Sequence, residues 1–345
     1  LRHDILAAQA SLAVTPRLTR FGQYIYRETE AGDRLLRFDL DEDLFPNYRG
    51  DLQRNTARLG FSARLPEGFT LLGLGHWSET DVRNVNAETI TLPFPPGPLK
   101  LSTIDDLLAA SMNAQVQAIS SNFAVDEKTS LQFAVGASVS QIDQIQFFNT
   151  LSTPVLGLPP FGSSTRTKME REEFIAYTYA NIDFGDVATL TVGLAAENDS
   201  EQVASKPLSG FPVPANRSER DDWHINPKLG LRVAVTDELT VQGAYTRSMV
   251  RFDADGDTLE PITVAGFPQF FDGVEGSIVE QVAAGADLAL YDGVTLRGQA
   301  AWRYFDFPDS AAETQEIDLR GEVTAALADR WSASAGLRLQ RSSHT

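Results

Sequence analysis

The pattern in the sequence that most resembles a metal site is a run of three alternating aspartates, Asp253, Asp255 and Asp257. Calcium prefers carboxylate oxygens, and the first half of an EF-hand loop spaces its acidic ligands in this way. The second half is missing, because Thr258 stands where the loop needs glycine and Val264 where it needs a bidentate glutamate. We therefore predict a solvated acidic loop and no metal site. The weaker alternative is that these three aspartates hold a cation loosely.

The residue patterns of common catalytic sites are also missing. The sequence contains no cysteine, no H-x-x-x-H pair among its four histidines, no G-x-S-x-G turn and no P-loop. His76 would suit a phospholipase-like Ser–His pair only if its side chain faced lipid, and we interpret it as an inward-facing or loop-end histidine. The sequence therefore predicts no catalytic residue, no cofactor and no enzyme.

Basic residues recur at alternate positions of several apolar stretches. They are Arg58, Arg64, Lys228, Arg232, Arg247, Arg297, Arg303, Arg320 and Arg338. Acids such as Asp287, Asp318 and Glu322 are interspersed among them. We predict that these cations line the lumen of a barrel, either in cross-strand ion pairs that stiffen the wall or along a selective charged pathway.

A short turn followed by an apolar, a hydroxyl and another apolar residue recurs seven times. The turns are Thr15–Arg17, Pro66–Gly68, Asp126–Lys128, Gly185–Val187, Thr236–Glu238, Asp292–Gly293 and Asp329–Arg330. Pro, Gly and Asp favour tight turns, and β-branched residues favour strands. Residues around each turn alternate between apolar and polar, as Leu229 and Leu231 do with Lys228 and Arg232. Such alternation predicts strands of about ten residues with one greasy face.

The connections at the other strand ends are long and polar. They comprise residues 28–53, 79–111, 143–170, 198–222 and 249–275, with a short exception at 306–312. Short turns at one end and long loops at the other are typical of outer-membrane proteins. We predict an all-β protein, a single antiparallel transmembrane β-barrel over 1–345 with about fourteen strands in seven hairpins, short periplasmic turns and long extracellular loops.

Two further features refine this prediction. Ser102 followed by Asp105 and Asp106 indicates a short capped helix over Ser102–Leu108 within the second long loop. Aromatic residues occur at two levels of the predicted strands, which suggests the two girdles of a membrane barrel. Those beside the turns are Phe69, Phe184, Tyr291 and Trp331, and those further along are Trp77, Tyr245, Trp302 and Tyr304.

Composition limits the possible partners. The formal net charge of −18, from 47 acidic and 29 basic residues, argues against nucleic acid, whose phosphates need a cationic face. The sequence contains no run of roughly 18 apolar residues, so it predicts no transmembrane helix. We predict outer-membrane lipid as the main partner. Because the first and last strands would both end at the outer surface, we also expect an odd number of strands to be missing at each end.

Two strand pairs carry a family resemblance. The segments Ile225–Leu231 (INPKLGL) and Asp237–Ser248 (DELTVQGAYTRS) resemble barrels of TonB-dependent receptors. Leu259–Pro261 (LEP), Val264–Phe267 (VAGF) and Gln269–Gly273 (QFFDG) resemble those outer-membrane barrels that follow periplasmic tetratricopeptide repeats. The resemblance implies a bacterial outer-membrane barrel with possible periplasmic domains or partners. No TonB box, plug or helical repeat is visible in this sequence.

Three functions remain open at this stage. The first is a transport or export barrel for an unidentified substrate. The second is a membrane-anchored adhesion or scaffold protein whose loops bind a partner. The third is a soluble β-rich protein, which would need other protein segments to cover its apolar face.

Overall fold

The computed structural model describes residues 2–31, 49–91, 98–154, 161–209, 215–251, 258–270, 276–291, 293–307, 313–328 and 331–344. The strands are β1 (Arg2–Thr15), β2 (Leu18–Ala31), β3 (Arg49–Arg64), β4 (Thr70–Thr91), β5 (Pro98–Ile119), β6 (Phe123–Ala124), β7 (Thr129–Pro154), β8 (Phe161–Phe184), β9 (Ala188–Ser209), β10 (Asn216–Ala234), β11 (Leu239–Met249), β12 (Thr263–Val264), β13 (Phe267–Pro268), β14 (Ile278–Tyr291), β15 (Val294–Asp306), β16 (Glu313–Ala328) and β17 (Trp331–His344). A 3₁₀ turn spans Pro66–Gly68. In these ranges no helix is long and apolar enough to cross a membrane.

Fourteen of these strands form one antiparallel sheet in which chain neighbours are sheet neighbours, from β1 to β17. The short strand β6 pairs with β7, and β12 and β13 form a separate two-stranded sheet. Within the described ranges no pairing joins β1 to β17. The predicted antiparallel fold and its strand number are confirmed. That strands are missing at both ends stays a prediction.

The tight turns lie where the sequence placed them and are held by local side chains. Asp126 accepts hydrogen bonds from the backbone amides of Lys128 and Thr129, both at 2.8 Å. The bonds from Lys128 and then Thr129 hold the pKa of the Asp126 carboxyl below its ordinary value. Glu67 and Gly68 both adopt positive φ, 64° and 83°, which lets the chain reverse within the 3₁₀ turn.

The sheet exposes its apolar face and buries its polar face, the reverse of a sheet in a soluble protein. On β10, Trp223, Ile225 and Leu229 are 63, 54 and 51% exposed, whereas Asn226 and Lys228 on the opposite face are 0 and 1% exposed. We call the face of Asn226 and Lys228 the inner face and the other the outer face. A soluble sheet would bury its apolar residues, so exposed leucines beside buried lysine indicate that the outer face meets lipid.

The apolar part of the outer face has the height of a membrane. On β10 it runs from Trp223 to Val233, which at ~3.3 Å per residue and a tilt near 40° is about 25 Å. The rings of Trp223 and Phe174 meet at one edge, with centroids 6.5 Å apart. Trp77 is 38% exposed, whereas its neighbours His76 and Ser78 are buried. Trp77 therefore belongs to the outer face.

The strands are longer than predicted. β7 has 26 residues and β8 has 24, and the segments expected to be loops at 79–111, 143–170 and 198–222 are mostly strand. Beyond the apolar band both faces meet water, so apolar alternation fades although the backbone ladder continues. Those loop predictions were wrong because alternation reports the height of the band and not the length of the strand.

The predicted helix at Ser102–Leu108 was also wrong, since these residues belong to β5. Ser102 is paired with Ala87 on β4 and with Leu151 on β7. A helix cap satisfies one or two amides, whereas two neighbouring strands satisfy both edges of the whole segment. Tertiary pairing therefore overrides the local helix signal.

We predict that Leu229→Arg, at the middle of the outer apolar band, destabilises the folded protein by roughly 2–4 kcal/mol, the cost of arginine near a bilayer midplane. Urea unfolding in phospholipid vesicles measures this change. The control Leu229→Ala separates charge from lost volume and should cost much less. Equal effects of the two variants would contradict a lipid-facing position.

Candidate functional site

The connection between β11 and β14 contains a small hairpin that points into the inner side of the sheet. We call residues 258–270 the lumen hairpin. Its strands β12 and β13 are joined by Ala265 and Gly266, whose φ angles are 49° and 87°. Positive φ at both central residues is the geometry of a type I′ turn, which suits two-residue hairpins.

The sheet curls around this hairpin. The Leu259 amide donates to the Gln115 carboxamide oxygen on β5 at 2.7 Å, and the Arg303 guanidinium of β15 lies 4.7 Å above the Phe270 ring. In sheet order β5 and β15 are seven steps apart, which on a flat sheet would be about 34 Å at ~4.8 Å per step. One hairpin can touch both strands only because the inner face is concave.

The hairpin also reaches deep along the strands. It departs after Met249, the last residue of β11, yet Gly266 at its tip lies beside Gln242 of the same strand. Seven residues separate these levels, or about 23 Å of strand at ~3.3 Å per residue. The tip therefore comes close to the tight turn at Thr236–Glu238, at the opposite end of the sheet.

Apolar contacts hold the tip of the hairpin against the inner face. Val264 and Phe267 are 0 and 2% exposed. They form a cluster with inner-face residues Ile175, Tyr177, Tyr179, Ala195, Ala244 and Ala283. Full burial of a valine or phenylalanine side chain is worth roughly 1.5–3 kcal/mol. The inner side of this sheet thus has its own small hydrophobic core.

Glycines make room for these contacts. A Cβ on Gly230 would lie 2.7 Å from both Val264 Cγ1 and Ala265 Cβ, and one on Gly285 would lie 3.2 Å from Phe267 Cζ. Between the hairpin and β14–β16 remains a cavity of about 20 Å³, close to the size of one water molecule. The hairpin therefore fills this part of the inner space.

A buried ionic cluster holds the base of the hairpin. The Glu260 carboxylate pairs with the Lys228 ammonium and the Arg251 guanidinium, and accepts a hydrogen bond from the Tyr179 hydroxyl. Gln269 Nε2 in turn donates to the Tyr179 oxygen at 2.9 Å. The Lys228 and Glu260 side chains are both 0% exposed. Removing one partner of such a pair leaves an uncompensated buried charge, which is strongly destabilising.

A second carboxylate balances the cluster. Glu197 is 0% exposed and accepts hydrogen bonds from the Asn226 amide and from the Met249 backbone amide at 3.2 Å. Arg251 interacts electrostatically with Glu197 and Glu173 as well as with Glu260. The two cations of the cluster therefore lie near more than one carboxylate.

The family model described as "TonB dependent receptor-like, beta-barrel" matches residues 8–293. The chain belongs to this family. Its members are barrels of the outer membrane of Gram-negative bacteria. No curated protein sequence matches the chain significantly.

Solved TonB-dependent receptors share the fold of this receptor-like barrel at low sequence identity. The ferric-catecholate import receptor Fiu of Escherichia coli K12 superposes with a TM-score of 0.68 at 12% identity over 99% of this chain. The siderophore receptor PiuA of Acinetobacter baumannii gives 0.68 at 11% and 99%, and the ferric yersiniabactin uptake receptor FyuA of Yersinia pestis gives 0.64 at 12% and 99%. The chain spans 58, 56 and 52% of their respective lengths.

Eight of the nine cations predicted for the lumen lie on the inner face of the receptor-like barrel. They are Arg58, Arg64, Lys228, Arg232, Arg297, Arg303, Arg320 and Arg338. The ninth, Arg247, was assigned to the wrong face. It shares the outer face with Val241 and pairs with Glu280 at 3.4 Å. Thr246 and Ser248 are the buried residues there, and a long arginine at the edge of the apolar band can reach water.

Several inner-face arginines form cross-strand ion pairs. Asp318 on β16 accepts from Arg320 at 2.7 Å, from Arg338 of β17 at 2.9 Å and from Arg303 of β15 at 3.4 Å. Arg297 pairs with Asp287 at 2.8 Å. One carboxylate thus ties three neighbouring strands together, which is the wall-stiffening arrangement proposed above for these residues.

The metal and histidine candidates contribute nothing further. Asp253, Asp255 and Asp257 lie outside the described residues. In the part of the chain that the structure describes, no group of three or more His, Cys, Asp or Glu side chains is arranged to hold a metal ion. His76 is 4% exposed on the inner face, so it does not face lipid.

Sequence reasoning missed Tyr179, Arg251, Glu260 and Gln269 as a group. The polarity of residues 249–275 predicts an outer loop there, whereas the structure places Glu260 inside the sheet. One signal was present: apolar Val264 and Phe267 flank a two-residue turn ending in Gly266, a hairpin pattern that exposed loops rarely need.

We predict that Gly230→Ala displaces the lumen hairpin and destabilises the protein by roughly 1–3 kcal/mol, the usual cost of overpacking. The matched control is Gly298→Ala on β15, where an added Cβ meets nothing within 4 Å. Urea unfolding and protease sensitivity of residues 258–270 measure both effects. A Gly230→Ala variant as stable and protease-resistant as the control would contradict the packing described here.

Proposed function

We propose that this chain forms the wall of an outer-membrane transport or export barrel and that the lumen hairpin occludes the path. The observation that carries the proposal is the polarity of the two faces: an exposed apolar outer face surrounds a buried polar inner face. Lipid is the solvent that tolerates the first, and a hydrophilic pathway is the usual purpose of the second.

The family and its solved neighbours support this function but do not identify the cargo of this chain. The neighbours are described as import and uptake receptors, and the chain spans 52 to 58% of their lengths. Transport by this chain is therefore our proposal, with the substrate and direction left open. We propose no chemistry of its own for the barrel, because its family is a receptor-like barrel family and its solved neighbours are described as import and uptake receptors.

We further propose that periplasmic domains or partners act with the barrel. The segments around Leu259, Val264 and Gln269 resemble those of barrels that follow tetratricopeptide repeats. The first two segments and the start of the third belong to the lumen hairpin, so the resemblance coincides with the element that would have to move during transport. We propose the Gram-negative outer membrane as the location.

A surface-binding role is the second candidate, and the length of the strands favours it. β8 continues from Phe174, at the edge of the apolar band, to Phe161. That is about 33 Å of further strand at ~3.3 Å per residue and a tilt near 40°. A sheet that projects so far above the lipid offers a platform for a macromolecular partner.

Conductance across planar bilayers tests the transport proposal. We expect the full-length protein to conduct weakly, and to conduct several-fold better when residues 258–270 are replaced by a Gly-Ser linker of equal length. The control replaces residues 155–160, in a connection between β7 and β8, in the same way and should leave the conductance unchanged. An absence of conductance in all three proteins would refute a transport pathway and favour the surface-binding role.

A further inference from the structure

The Glu260 carboxylate sits in a pocket whose donors belong to the barrel wall. Lys228 is on β10 and Tyr179 on β8, both in the middle of paired strands. Arg251 follows Val250, whose amide and carbonyl pair with Ser277 and Gly276 at 2.8 and 3.0 Å and so extend the strand ladder. The occupant alone comes from the lumen hairpin.

The wall donors form a complete receptor for one carboxylate. Lys228 supplies an ammonium, Arg251 a guanidinium and Tyr179 a hydroxyl, and all three bind the two oxygens of Glu260. The ring of Tyr179 also faces the Lys228 ammonium, with Nζ 5.5 Å from its centroid. Charge-assisted hydrogen bonds from two cations and a hydroxyl favour an anion with planar oxygens.

The pocket is built rigidly around these groups. The Tyr179 ring lies across Gly193 of β9, where a Cβ would approach it to 2.6 Å, and the same Cβ would be 3.3 Å from Lys228 Cβ. The donors therefore keep their positions when the hairpin changes, because strands β8 to β10 hold two of them.

We propose that this wall pocket is a carboxylate-binding site for the transported substrate, and that Glu260 occupies it in the resting barrel as an internal substitute. A substrate that carries a carboxylate, such as an acidic sugar, replaces Glu260 on Lys228, Arg251 and Tyr179. The exchange removes the main ionic anchor of the lumen hairpin and frees the hairpin to leave the path. The inference rests on the transport function proposed above and deepens it by naming the substrate class.

The charges explain why a neutral solute cannot do the same. Withdrawal of Glu260 alone would remove the carboxylate partner that Lys228 and Arg251 both contact directly, which is costly in a site closed to water. An incoming carboxylate restores that partner, whereas a neutral sugar offers only hydroxyl groups. Release of the hairpin is thus coupled to the arrival of a negative charge.

Glucuronate and glucose test this, since they differ by one carboxylate. We expect Glu260→Gln, which keeps the shape of the occupant but not its charge, to bind glucuronate at least about tenfold more tightly than the wild type, because competition by the internal carboxylate is removed. Isothermal titration calorimetry on the full-length protein measures both affinities. Neither protein should bind glucose.

Two further variants show whether the pocket is responsible. Adding Lys228→Met to Glu260→Gln should abolish glucuronate binding, while adding Lys168→Met should not, because Lys168 pairs with Glu170 on the exposed part of β8. Tyr179→Phe serves if Glu260→Gln fails to fold, because it keeps both charges of the cluster. We expect glucuronate to raise the conductance of the wild type, and to raise that of Tyr179→Phe less. Glucuronate binding that is insensitive to Lys228, or equal to glucose binding, would overturn the proposal.

The two experiments can fail independently, so the carboxylate site and the transport function are tested separately. If the protein lacking residues 258–270 conducts but Glu260→Gln does not bind glucuronate, the carboxylate site is wrong and transport stands. If glucuronate binds through Lys228 but no variant conducts, transport fails and the site belongs to a receptor of another kind.

Discussion

The contact between lipid and one face of the sheet is the constraint on which the rest of this structure depends. Once Leu229, Ile225 and Trp223 are exposed to hydrocarbon, polar side chains within the apolar band are favoured only on the other face. That face is concave, so the polar groups deep within it are buried and need partners. The ion pairs of Asp318 and the cluster around Glu260 follow from this need.

The lumen hairpin answers the same constraint in a different way. A concave polar face fourteen strands wide leaves space that water or protein must fill. In this chain Val264 and Phe267 bring apolar surface into the space, and Glu260 brings a negative charge to two wall cations. Apolar packing fixes the tip and ionic pairing fixes the base, so the two ends of the hairpin are held by forces of different kinds. A charge-bearing ligand can therefore release the base, after which only the apolar packing of Val264 and Phe267 holds the hairpin.

Much of the fold was predictable because the membrane imposes period-two alternation on the spanning part of each strand. The ends of the strands that flank the predicted tight turns, as far as the structure describes them, and the faces of Lys228 and Arg303 follow from local sequence alone. Strand length was not predictable, because above the lipid the strands of β7 and β8 continue without any apolar pattern. Ser102–Leu108 shows the same limit, since a capping signal spans four residues whereas the ladders around β5 span twenty. The contact of Tyr179 with Glu260 joins residues 81 apart and has no local signal.

Accessibility of single spin labels tests the central claim most directly, and the chain helps because it contains no cysteine. A nitroxide at Leu231→Cys should collide often with oxygen, which dissolves in lipid, and rarely with a water-soluble nickel complex. A nitroxide at Gln242→Cys, on the opposite face beside the hairpin tip, should be shielded from oxygen in the lipid. High nickel and low oxygen accessibility at position 231 would contradict the account, because the outer face would then meet water.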